Sequence, residues 1–180
     1  MTVSRRLVVT GHNKAGQSCV ASSTSLPSRD IPGFPGYGQI DFWGADKTLH
    51  YPDGGEKPEF ELYFPPIGGF RFIEIFLPPR SDVRHDTSAT GASAAQMKDE
   101  MPGLVDMMDS DRPGMHRTAS VDVIIVMEGS CELELEAESV TLHAGDTLVQ
   151  SGTIHAWHNP FDKPCRFLAV LYGAHNDLVK

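Results

Sequence analysis

Between Cys131 and Glu136 the side chains alternate one for one: Cys131, Glu132, Leu133, Glu134, Leu135, Glu136. Successive side chains of an extended chain point to opposite faces, so this run fits a strand with Leu133 and Leu135 inward and the glutamates outward. Turn signals bracket it at Glu128-Gly129-Ser130, Ala144-Gly145-Asp146 and Ser151-Gly152. Around these turns lie short apolar runs at Val121–Met127, Thr141–His143, Thr147–Gln150, Thr153–His158 and Arg166–Tyr172. Short strands every ~8–12 residues build an antiparallel sandwich or barrel. With 17 glycines and 13 prolines in 180 residues, the chain suits many turns better than long helices.

The first half is less regular. Arg6–Thr10 and Ser18–Ala21 flank a polar turn and predict a hairpin. Residues 27–58 read as loop, with a short strand at Gln39–Trp43, and their aromatic residues are expected to pin that loop to the body. Phe60–Phe64 and Phe70–Leu77 are expected as strands, separated by Pro65-Pro66 and Gly68-Gly69. Residues 81–114 are small, polar and Met-rich. Ser93-Ala94-Ala95-Gln96 has capping-box spacing, which predicts a short helix over Gln96–Met101 and a further turn at Leu104–Met108. Such an insertion is either a lid over a pocket or a surface excursion.

Charge and cysteine content exclude several classes. A net charge of −9 argues against nucleic acid, whose backbone demands clustered Lys and Arg. The regular outward alternation of Glu132, Glu134 and Glu136 marks a solvated face rather than a cation site. No apolar run approaches the ~20 residues that span a bilayer, and Leu7-Val8-Val9 is too short for a signal-peptide core. Cys19, Cys131 and Cys165 are odd in number and widely spaced, so a cytoplasmic chain without disulfides is expected.

Of eight histidines, His12, His50, His85, His143 and His175 fall in turns or loop text and are expected at the surface. His116, Asp122, His155 and Trp157 form a better set. On the strand 153–158, His155 and Trp157 share a face while His158 points the other way. His116 and Asp122 would stand ~20 Å apart on a continuous strand, so they meet only if the chain turns near Thr118-Ala119-Ser120. Two imidazoles and a carboxylate on one inner face suit a divalent transition metal with open positions, or acid–base chemistry without one.

The stretch from Gly114-Met115-His116-Arg117-Thr118 through Asp122 to Glu128-Gly129, followed by Gly145-Asp146 and Gly152–Asn159, resembles the two motifs of the cupin superfamily. The likeness is strong over about 114–172 and rests on strand pattern alone at 60–80. Aligned on Gly129, His116 takes the first histidine position and His155 the last. Thr118 stands where a second histidine belongs, and Asp122 replaces a glutamate. The resemblance implies an all-β, cupin-like antiparallel β-barrel (jelly-roll) with extra N-terminal strands and a short helical insertion. One domain over 1–180 is then expected, with a barrel core at about 60–172, the insertion at 81–114, and 1–59 packed on the barrel. It implies His116, Asp122 and His155 as metal ligands (Fe, Mn, Ni or Zn) or catalytic groups, Trp157 and Thr118 as substrate contacts, and a homodimer. Three functional readings stay open: a metal-dependent dioxygenase, isomerase or decarboxylase acting on an oxygenated or aromatic metabolite, a metal-free isomerase or dehydratase, and a small-molecule binding module.

Overall fold

The computed structural model describes residues 3–82 and 91–179. Among them lie strands β1 (Ser4–His12), β2 (Ser18–Pro27), β3 (Arg29–Asp30), β4 (Gly38–Ala45), β5 (Phe70–Leu77), β6 (Ser120–Glu128), β7 (Ser130–Leu135), β8 (Ser139–His143), β9 (Thr147–Gln150), β10 (His155–His158) and β11 (Cys165–Gly173). One helix, α1, covers Gly91–Glu100. Among the described residues no helix is long and apolar enough to cross a membrane.

The strands form a six-stranded sheet in the order β3-β4-β5-β11-β6-β9 and a three-stranded sheet in the order β10-β7-β8, with a separate β1-β2 hairpin. Every pairing is antiparallel. The fold is therefore the expected all-β antiparallel barrel with extra N-terminal strands and a short helical insertion. Its core lies where the sheets face each other: Ile73, Leu77, Ile124, Val126, Leu142 and Phe167 are buried together with Cys131 and Cys165. Each such aliphatic or aromatic side chain contributes about 1.5–3 kcal/mol by leaving water. The alternation at 131–135 behaves as the sequence predicts. Cys131 and Leu133 are buried, while Glu134 and Glu136 stay open and pair with His158 and Arg112. Gly129 makes the β6–β7 turn possible, because its φ is 72° and a Cβ there would stand 2.2 Å from Pro164 O.

The hairpin runs longer than its apolar residues suggest, and a buried ion cluster fastens it to the barrel. Arg5 Nε and Nη2 donate to the two Glu74 oxygens at 3.0 and 3.1 Å. Arg166 also donates to Glu74, and reaches Glu128 at 2.7 Å. Glu74 is 2% exposed, so both guanidinium groups are needed to offset the loss of its hydration.

Two sequence expectations need correction. Phe60–Phe64 is not a strand. Prolines at 58, 65 and 66 flank it, and its backbone is satisfied elsewhere: Tyr63 N–H donates to Pro102 O at 2.8 Å and Leu62 O accepts from Arg71. The helix covers Gly91–Glu100, so Ser93 lies inside it rather than at its cap; Pro102 follows its end. His85 and the rest of 83–90 lie outside the described residues. Beyond the helix a single 3₁₀ turn, Val105–Met107, brings Leu104 and Met108 back toward the barrel.

Candidate active site

His116 lies just before β6 and forms an isolated antiparallel bridge with His155. Each backbone N–H donates to the other's carbonyl, at 2.9 and 3.0 Å. Residues directly opposite in an antiparallel pair share a face, so the bridge brings the two rings together: their centroids are 4.2 Å apart and their planes tilted by 50°. His116 Nδ1 lies 3.2 Å from Gly114 O, and His155 Nδ1 lies 2.9 Å from Thr153 O. A carbonyl only accepts, so each Nδ1 carries the proton and each Nε2 keeps its lone pair. Among the described residues neither Nε2 has a hydrogen-bond partner.

The chain does turn at Thr118-Ala119 before β6, and Asp122 reaches the same interior. Ser120 Oγ donates to Asp122 Oδ1 at 2.6 Å and stands 2.9 Å from the Thr118 hydroxyl. Burial pushes the Asp122 carboxyl up to about 6, although the Ser120 bond opposes this. Burial, and then the neighbouring His116, push His155 down to about 4, and burial lowers His116 too. Both imidazoles are therefore neutral near pH 7.

These groups open onto a cavity of about 140 Å³ inside the barrel. Phe34, Tyr37, Tyr63, Phe64, Trp157 and Phe167 give it aromatic walls, and among the described residues no Lys or Arg lines it. Trp157 stands with its centroid 6.3 Å from His155 and 4.6 Å from Phe167. Leu104 and Met108 border the cavity from the segment after α1, whose Met97 and Met101 pack against Ile31, Phe34, Tyr63 and Phe64. From Met97 to Met108 the insertion is thus packed over the pocket rather than projecting from it.

His116, Asp122, His155 and Trp157 all reach this cavity. Thr118 does not: it is 1% exposed, off the cavity wall, and its carbonyl accepts from Asn176 Nδ2 at 2.9 Å. The residue expected as a substrate contact thus lies off the described wall, with its hydroxyl 2.9 Å from Ser120 Oγ. His158 faces away and pairs with Glu134 at 2.7 Å, as strand alternation requires. His12, His50, His143 and His175 are exposed.

The metal expectation meets a plain obstacle. Among the described residues no group of three His, Cys, Asp or Glu side chains is disposed to hold a metal ion. His116, Asp122 and His155 share the cavity without forming a three-donor shell, so the described residues do not by themselves fit a resident Fe, Mn, Ni or Zn ion. Sequence reasoning did not place Phe34, Tyr37, Tyr63 and Phe64 at the site. Their clustering beside prolines and glycines was the available signal, and it reads equally well as loop anchoring.

The family model described as a cupin domain matches residues 103–171. Oryzines biosynthesis cluster protein J of Aspergillus oryzae is 42% identical over 168 residues, covering 83% of this chain and 87% of that protein. The cupin-domain-containing oxidoreductase virC of Hypocrea virens is 39% identical over 57 residues, 31% of this chain and 29% of that protein. Among solved structures, a putative ethanolamine utilization protein Q from Salmonella typhimurium aligns over 96% of this chain and 99% of its own, with 12% identity and a TM-score of 0.44. With both histidine-bearing motifs inside an antiparallel barrel, this chain belongs to the cupin superfamily.

Proposed function

We propose that this protein is an enzyme acting on a small molecule by general acid–base catalysis inside the barrel. The observation that carries the reading is the His116–His155 pair, two neutral rings whose Nδ1 protons are committed to Gly114 O and Thr153 O. Each keeps an Nε2 lone pair beside an aromatic, largely apolar cavity. A neutral imidazole with a fixed tautomer is a competent general base, and such proton transfer contributes typically ~10²–10⁴ in rate. Once one ring takes a proton the other resists a second, since two imidazolium groups 4.2 Å apart repel. Asp122 supports the step as the one carboxyl on the wall among the described residues, balancing the imidazolium that forms. It does not set the histidine tautomers; the two backbone carbonyls do. Isomerisation or dehydration of a small cyclic carbonyl compound suits this equipment.

A second reading, metal-dependent oxidation, draws support from the word oxidoreductase in the name of virC. The lack of a three-donor set among the described residues weighs against it.

The test is solvent isotope exchange. A panel of small uncharged hydroxylated cyclic ketones is incubated with chelator-treated protein in deuterated buffer, and incorporation is followed by mass spectrometry. Protein-dependent exchange that falls at least ~100-fold in both His155→Gln and His116→Gln is expected. Exchange in no member, or undiminished exchange in the folded variants, would refute acid–base catalysis. Activity that returns only with an added transition metal would favour the second reading.

A further inference from the structure

Three polar side chains on the cavity wall, His116, His155 and Tyr63, share a property that no motif encodes: their protons are already spent inside the protein. His116 and His155 give their Nδ1 protons to Gly114 O and Thr153 O. Tyr63 gives its hydroxyl proton to Gln39 Oε1 at 2.6 Å, and Gln39 is locked in turn because its amide donates to Asp41, which Arg29 holds at 2.7 Å. Ser120 gives its proton to Asp122. Two imidazole Nε2 atoms, a phenol oxygen and a carboxyl oxygen remain, all able to accept. The side chains that set this pattern are held from behind by β4, β6 and backbone carbonyls, so they do not rotate freely to present donors instead.

Charge follows the same direction. Among the described residues no Lys or Arg lines the cavity, both its histidines are neutral, and besides the tyrosines the one ionisable acid on its wall is Asp122. A carboxylate or phosphate entering here would lose its hydration and find no cation among the described residues, which is costly in an apolar site. Shape narrows the class further. The cavity of about 140 Å³ is close to the roughly 150 Å³ of an apolar cavity that holds one benzene ring, and its walls are flat aromatic faces. The two histidine rings, 4.2 Å apart, each keep one acceptor, Nε2.

We propose that this pocket takes an uncharged, flat, largely apolar ring that offers two neighbouring hydroxyl or amide hydrogens, and that it rejects carboxylates and phosphates. This rests on the same site as the acid–base reading but concerns recognition. It can therefore fail or hold independently of turnover.

The test is calorimetric titration of the full chain, after chelator treatment, with four probes: catechol, its monomethyl ether, its dimethyl ether and a ring-carboxylated catechol. Catechol binds, and each methylation weakens binding roughly fivefold, the loss of one neutral hydrogen bond. Ring carboxylation weakens it by at least roughly 100-fold at pH 7.5. Equal affinity for the dimethyl ether would overturn the donor pattern. Equal or tighter binding of the carboxylate would overturn the charge selection. Binding by no probe, or binding only after a metal ion is added, would overturn the whole assignment. The expected selectivity combined with no isotope exchange in any substrate would leave this inference standing and remove acid–base catalysis alone.

Discussion

Replacing Asp122 by Asn changes one proton and almost no shape, which makes it the sharpest probe of the site's electrostatics. In the folded chain burial holds the carboxyl at about 6, against 3.8 for the ordinary group. Between those values the folded state keeps a proton that the unfolded chain has released. The stability this contributes is fully present below 3.8 and is lost as pH rises through about 6. At about 1.4 kcal/mol per pH unit, the gap corresponds to about 3 kcal/mol. Asn cannot ionise, and its amide oxygen still accepts from Ser120, so Asp122→Asn escapes the loss. His155 works in the opposite sense: its stability is present above 6.5 and lost as pH falls through about 4. That contribution is common to both proteins and drops out of the difference. Urea unfolding of both proteins from pH 4 to pH 8 provides the assay. The variant should match the wild type near pH 4 and exceed it by up to about 3 kcal/mol at pH 8. A difference that stays flat with pH, or a variant less stable at pH 8, would refute the account of a buried, cation-free carboxyl.

Other expectations follow from the packing. Glu74→Gln should cost about 1–3 kcal/mol in urea unfolding, because Arg5 and Arg166 lose a charged acceptor, and should speed amide exchange in the hairpin. Met101→Ala, at a side chain 1% exposed, should cost about 2–5 kcal/mol and increase protease cutting in the segment over the pocket. Cys19 is exposed while Cys131 and Cys165 are fully buried, so a native-state thiol assay should find one fast-reacting group per chain, with the other two appearing on unfolding. A count of three fast thiols would contradict the packed core.

The second half of the fold was legible because its strands have one wet and one dry face. The alternation at 131–135 and the shared face of His155 and Trp157 follow from the period of two, as does the opposite pointing of His158. The meeting of His116 and Asp122 was legible as a condition, that the chain turn near Thr118, and it does. The irregular aromatic segments were not legible. Phe60–Phe64 has strand-like composition, but its backbone partners, Pro102 and Arg71, are distant in sequence or belong to another strand. Tyr63 enters the cavity wall through such contacts, which no local pattern encodes. Thr118 illustrates the reverse: its place in a motif suggests a contact, while its neighbours Ser120 and Asn176 enclose it. Which ring nitrogen each histidine leaves open also depends on two carbonyls, Gly114 O and Thr153 O, whose orientation only the folded backbone fixes.

Those two nitrogens underlie both the proposed chemistry and the proposed ligand class, and nitrogen-15 NMR of the imidazole rings observes them directly. At pH 7, with chelator-treated protein and His116→Gln and His155→Gln for assignment, both rings should be neutral, with the proton on Nδ1 and a bare Nε2. A ring protonated on Nε2, or an imidazolium at that pH, would contradict the account.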